Sequence, residues 1–103
     1  MAFAVRFSAA ALADLVRLHG HILARASSVK GLEIADRAVD EIEVACKAQL
    51  ARTPCLYRRA GDSPTRRELV IPFGNDGYVA LFEISGATVF VLAVRHQLED
   101  DYR

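Results

Sequence analysis

Tyr78-Val79-Ala80-Leu81-Phe82-Glu83-Ile84 and Thr88-Val89-Phe90-Val91-Leu92-Ala93-Val94 are the stretches that decide the fold. Both are β-branched and aromatic runs of strand length, and only Ser85-Gly86-Ala87 separates them, which predicts a β-hairpin. The second run leads straight into Arg95-His96-Gln97-Leu98-Glu99-Asp100-Asp101-Tyr102-Arg103. An arginine and a histidine at the end of a buried strand stand at the rim of a sheet. Small α+β domains present contacts or chemistry at such rims.

Working back from the hairpin, Gly74-Asn75-Asp76-Gly77 reads as a turn, Arg67-Glu68-Leu69-Val70-Ile71 as a strand, and Ala60-Gly61-Asp62-Ser63-Pro64 as a loop. Leu56-Tyr57-Arg58-Arg59 reads as a further, weaker strand. Before Pro54 the period changes to that of helices. Ala35, Ala38, Val39, Ile42, Ala45, Cys46 and Gln49 trace one apolar stripe that ends near Arg52, where Thr53-Pro54 stops it. Leu12, Leu15, Val16, His19, Ile22 and Leu23 trace another, running to about Ala26, with Ser8 as its N-cap. Ser27-Ser28-Val29-Lys30-Gly31 breaks the two apart, so they form a helical hairpin in which Ala35, Ala38 and Ala45 allow close approach. Phe3, Val5 and Phe7 alternate with Ala4 and Arg6 as a short first strand. The predicted order is β-α-α-β-β-β-β, or the same with one middle strand missing.

The 103 residues make one domain, 1–103, able to bury a core without disulfides or a structural metal. Thirteen basic residues balance thirteen acidic ones, which excludes general or sequence-specific affinity for nucleic acid resting on a basic surplus. Cys46 and Cys55 lack metal-ligand spacing and fit free thiols in a reducing compartment. No leader pattern and no apolar run of membrane-spanning length is present, so the expected location is cytoplasmic. His19 and His21 lie two apart on a helix and cannot form an i, i+4 ligand pair. No phosphate loop, nucleophile elbow or isolated carboxylate pair occurs, and no metal or cofactor is expected.

The hairpin carries an imbalance. Tyr78, Ala80, Phe82 and Ile84 fall on one face and Val79, Leu81 and Glu83 on the other, while Val89, Val91 and Ala93 oppose Phe90, Leu92 and Val94. Both faces are apolar, yet one helical hairpin covers only one. The other is hidden either by the sheet curling on itself or by a partner. Tyr78, Ala80, Phe82, Val89, Val91, Arg95, His96 and Tyr102 are the expected partner-binding residues. Arg95, His96, Arg66, Arg67 and Tyr102 are the one cluster with reactive side chains; arginines hold phosphate and a histidine moves a proton.

The whole pattern resembles the ParE branch of the RelE/ParE toxin superfamily, the toxin half of bacterial toxin–antitoxin pairs. The resemblance rests on Val5-Arg6-Phe7-Ser8 with Ala11-Leu12 and Asp14-Leu15, on Arg67 to Gly74 leading into Gly77 to Phe82, and on Val91 to Gln97 with Glu99, Asp100 and Tyr102. It implies an α+β fold, an N-terminal helical hairpin packed on a curved, mainly antiparallel sheet. It also implies a toxin neutralised by an antitoxin that wraps it. ParE-like members inhibit DNA gyrase, whereas RelE-like members cleave messenger RNA on the ribosome with basic side chains. By position, Arg67, Arg95, His96 and Tyr102 fall where a RelE-type catalytic site would lie. Only two lysines are present, Lys30 and Lys47, both in the helical part. The resemblance therefore favours a gyrase inhibitor that binds and does not catalyse. A RelE-type endoribonuclease and an inactive partner-binding relative are the alternatives.

Overall fold

Ser8 starts the fold in the way its position predicts. In the computed structural model, which describes residues 2–26, 29–74 and 76–98 (Asp76 by its backbone alone), the Ser8 Oγ accepts the Ala11 N–H at 3.0 Å. It thereby caps α1, Ala9–Arg25, immediately after β1, Ala4–Phe7. Ala11, Asp14, Leu15 and Leu18 form the buried stripe of α1. The second helix, α2, covers Lys30–Leu50 and buries Gly31, Ala35, Ala38, Ile42, Cys46 and Leu50. The small residues do let the helices close: Ala11 and Ala35 have no exposure and Ala38 only 1%. The break between the helices is shorter than expected, because Lys30 and Gly31 already belong to α2. Gly31 fits there for lack of a side chain, since a Cβ at this position would overlap the Cβ of Ala26.

After α2 comes a 3₁₀ turn, Pro54–Leu56, in place of the strand expected over Leu56 to Arg59. Proline at the start of the turn and Leu56 at 78% exposure explain the difference, for nothing buries an alternating face here. The following residues only touch the sheet. Arg59 bridges Arg67, the Glu68 N–H donates to the Arg58 C=O at 3.0 Å, and the Ala60 N–H donates to the Arg66 C=O at 2.8 Å.

Three long strands complete the chain: β2, Arg66–Phe73; β3, Asp76–Ser85; and β4, Thr88–His96. The hairpin between β3 and β4 pairs Ser85 with Thr88 around Gly86-Ala87, with Gly86 at φ 59°. The sheet order is β1-β4-β3-β2, with β1 parallel to β4 and the other pairs antiparallel. The architecture is α+β, two helices on a mixed four-stranded sheet.

A bulge at Leu92 corrects the expected facing of β4. Leu81 pairs with Ala93 but Phe82 with Val91, so the alternation slips by one residue. Val89, Val91 and Val94 pack into the core with the helices, and Ala93 passes to the far face. Val94 would have pointed away without the slip.

The centre of the far face is covered within the chain, while Val70 and Phe90 on the same face are 46% and 38% exposed. Val79, Leu81 and Ala93 stand outside the helix-side core yet are only 3%, 6% and 6% exposed. Arg95 pairs across from Val79, and Glu68 across from Leu81 on the opposite neighbour. The Arg95 Nη2–Glu68 Oε2 approach of 3.9 Å therefore straddles β3 and lays both stems over its apolar centre. Glu68 also meets Arg58 Nε at 3.1 Å.

Candidate functional site

The register separates the residues that the sequence grouped. Ala80, Phe82, Val89 and Val91 have no exposure and sit under the helices, so as expected partner-binding residues they are corrected to core. Their alternation was apolar on both faces, and the helical hairpin takes this one. Tyr78 is 4% exposed, its ring 5.6 Å from that of His96 at an interplanar angle of 86° and 6.2 Å from Phe73. Tyr102 lies outside the described residues.

The three described side chains of the RelE-type set, Arg67, Arg95 and His96, do not converge. Arg95 and His96 are consecutive in a strand and point to opposite faces. Arg95 turns to Glu68 on the far face, whereas His96 lines a cavity against α1. Arg67 shares the helix-side face, since it pairs with core Phe82, and its Nη1 donates to the Tyr57 C=O at 2.7 Å. Yet His96 pairs with Tyr78, four residues along β3, so the two lie about 13 Å apart along the strand alone. Arg66 reaches Glu83 at 3.7 Å. Each far-face arginine of β2 and β4 thus faces a carboxylate.

A cavity lies beside His96. It holds about 520 Å³ between α1 and the C-terminal end of the sheet. Arg17, His21 and Arg25 contribute from α1 and His96 from β4, above Leu18, Ile22, Ile34, Phe73, Tyr78 and Leu98. Among the described residues no carboxylate lines it. The residues Arg17, His21 and Arg25 recur every four positions, a signal present in the sequence but hidden by attention to the apolar stripe beside it.

What fixes the cavity wall is the junction of α1 with β4. Strand β1 stops pairing at Phe7 with Val91, leaving the next stretch of β4 without a strand neighbour on that side. Groups from the start of α1 take over. The Ser8 N–H donates to the Val91 C=O at 2.9 Å and the Ser8 Oγ to the Leu92 C=O at 3.2 Å. Asp14 Oδ2 accepts the Val94 N–H at 2.9 Å, and Arg17 Nη2 donates to the Val94 C=O at 3.3 Å. Asp14 is the one buried charged residue described, 8% exposed, and its burial is explained by this bond. Sequence reading missed it because nothing in α1 announces a partner eighty residues away.

His19 and Cys46 are structural. His19 Nε2 lies 2.7 Å from Asp36 Oδ1 and ties α1 to α2. Cys46 is buried and its thiol pushed up to about 12, by burial first and Glu43 second; Cys55 is exposed. No group of three metal-ligating side chains occurs among the described residues, and no described helix is long and apolar enough to cross a membrane.

A helical hairpin on a mixed sheet, closed by a parallel N-terminal strand, is the fold of RelE/ParE-type toxins, and solved relatives share it. The chain superposes on a toxin–antitoxin structure of the chromosomal ParDE system from P. aeruginosa with a TM-score of 0.73 at 22% identity, covering 91% of this chain and 95% of that one. It also superposes on the RelBE2 toxin–antitoxin complex from Mycobacterium tuberculosis, with a TM-score of 0.63 at 20% identity and coverage of 94% and 100%. Within this class the chain belongs to the family of ParE toxins of type II toxin–antitoxin systems, whose model matches residues 5–101. It is 38% identical over 86 residues to Toxin RelE3 of Caulobacter vibrioides, across 84% of this chain and 85% of that protein.

Proposed function

We propose that this toxin works by binding its target and not by cutting RNA, that the target is DNA gyrase, and that a cognate antitoxin neutralises it. The carrying observation is the dispersal of Arg67, Arg95 and His96. Phosphoryl transfer needs a proton carrier and cationic donors around one phosphorus atom, within hydrogen-bond reach of it. Here His96 and Arg95 are on opposite faces of one strand and Arg67 is at the other end of β3. The far-face arginines are further engaged by Glu68 and Glu83, which compete with any phosphate for them. A toxin acting by contact needs no such convergence. Both solved relatives come from toxin–antitoxin systems, which supports an antitoxin partner here, and the free thiols suit a cytoplasmic encounter.

The test is a supercoiling assay with purified gyrase and folded chain freed of antitoxin, run beside a ribosome-dependent message-cleavage assay. Inhibition of supercoiling or trapping of cleaved DNA is expected, with His96→Ala tolerated or mildly impaired, since interface energy spreads over several contacts. Deletion from Gln97 onward is expected to weaken inhibition more, once the shortened protein is shown to be folded. Normal supercoiling at large molar excess would remove the gyrase assignment. Message cleavage lost in His96→Ala would instead establish the catalytic alternative.

A further inference from the structure

We propose that the outer face of α1 seats a second copy of this chain, with the two helices crossing antiparallel about a twofold axis at Val16. Between Ala9 and Ala24 the outward positions of α1 hold Leu12, Val16, Gly20, Leu23 and otherwise only alanines, an arc of about 120° with no polar group. Leu12 is 51% exposed, Val16 74% and Leu23 37%. A surface helix turns charge outward, as α2 does with Glu33, Arg37, Asp40 and Glu41. An exposed apolar face of this kind marks a contact surface.

Gly20 points to close approach from outside. It stands in the middle of α1, where glycine weakens a helix relative to alanine. Nothing in the described chain demands it, since an added Cβ meets no atom within 4 Å, whereas Gly31 is demanded by Ala26. The row that contains Gly20 says what approaches. Leu12, Val16 and Gly20 follow at four-residue intervals and form one ridge that tapers from a large side chain to none. Its two ends lie about 6 Å on either side of Val16. A ridge with this taper fits its own reverse, because a twofold axis at Val16 lays each Leu12 over Gly20 of the other copy. Ridges of this kind incline by about 26° to the helix axis, so laying one along the other sets the crossing near 50°, the commonest class of helix packing. A parallel pair would set leucine on leucine and glycine on glycine. Zero net charge leaves no long-range repulsion between copies. The face is about 24 Å long and about 10 Å wide, so two copies bury at most roughly 500 Å² there. The groove of about 330 Å³ beside Leu12 and Val16 extends it toward Val39 of α2. That area is below the roughly 1,200 Å² of stable complexes, so the dimer is weak and reversible.

The experiment uses the full chain freed of antitoxin, with Cys55→Ala removing the exposed thiol while Cys46 stays buried. Val16→Cys in this background lies on the axis and is expected to form a disulfide-linked dimer in a glutathione redox buffer. Two controls measure chance collision: Val29→Cys, at the higher exposure of 82%, and Leu23→Cys, whose copy would lie about 20 Å away. At least about tenfold more linked dimer is expected from Val16→Cys than from either control. Adding Leu12→Glu, with unchanged circular dichroism, should remove that excess. Sedimentation of the cysteine-free position 16 parent, from about 0.05 to 1 mM, should show the mass rising from 11.3 kDa toward twice that value. Gly20→Leu fills the gap and should stay at 11.3 kDa throughout while melting no lower than the parent. Linking at Val16 no greater than at Val29, equal linking at Leu23, a parent of constant mass, or a Gly20→Leu variant that associates like the parent would each overturn the proposal. The product of the neighbouring gene decides the rival occupant. If Gly20→Leu weakens its binding while the parent stays monomeric, the face belongs to the antitoxin and the dimer inference fails.

Discussion

Removing the Asp14 carboxylate tests whether α1 truly completes the pairing of β4. In Asp14→Ala the Val94 N–H, now bonded at 2.9 Å to Oδ2, loses its partner in a place where Asp14 itself is only 8% exposed. A hydrogen bond to a charged acceptor contributes about 1.5–3 kcal/mol, and the penalty for a stranded buried N–H is of the same size and overlaps it. The Arg17 contact at 3.8 Å adds little, because Arg17 is half exposed. The expected destabilisation is therefore about 2–3 kcal/mol, which for a domain near this size lowers Tm by roughly 10–20 °C. Asp14→Asn keeps an acceptor in reach of Val94 and is expected to cost about 1 kcal/mol. Urea denaturation of the antitoxin-free protein gives both numbers, and amide exchange at Val94 should accelerate in Asp14→Ala beyond its neighbours in β3. A loss below about 0.5 kcal/mol at unchanged m-value would refute the reasoning. So would an asparagine variant as damaged as the alanine one, which would place the effect in the charge and not in the bond.

Two further expectations concern the helices. Gly31→Ala should destabilise by about 1–3 kcal/mol, since its Cβ has no room against Ala26, whereas Gly20→Ala, with nothing within 4 Å of the added carbon, should stabilise by up to about 1 kcal/mol; matched thermal melts decide both. The buried Cys46 thiol makes stability depend on alkali. Its folded value near 12 lies above the ordinary 9.0, so the native state holds the proton where the unfolded chain releases it. This contribution is full below about pH 9 and is lost progressively as pH rises from there toward about 12. Denaturation midpoints from pH 7 to 11 should show a decline beginning near pH 9 that is absent in Cys46→Ala, and alkylation at pH 8 should modify Cys55 well before Cys46.

How much of this was legible in the residues follows from the range over which each force acts. Ser8 as a cap, the two helical stripes and the β3–β4 hairpin are local matters, decided within a few residues, and the sequence carries them openly. The strand misread over Leu56 to Arg59 has a local cause as well, a proline placed to begin a 3₁₀ turn. The site was less legible because it depends on register. A single bulge at Leu92 decides that Val94 and His96 share the helix side while Ala93 and Arg95 take the other, and no composition or period announces where a bulge falls. Once it is placed, the rest follows in order. His96 joins the basic row of α1 around an apolar cavity, and Arg95 is left to reach across β3 to Glu68. The slip therefore decides which of the two faces the helices, whereas their separation comes from strand alternation alone, which sends neighbouring side chains to opposite faces. Without the inserted residue Arg95 would face α1 and His96 the far side, and the pair would be no closer, so the contact-based reading of this toxin rests on strand alternation in β4 and on the distance from His96 to Arg67.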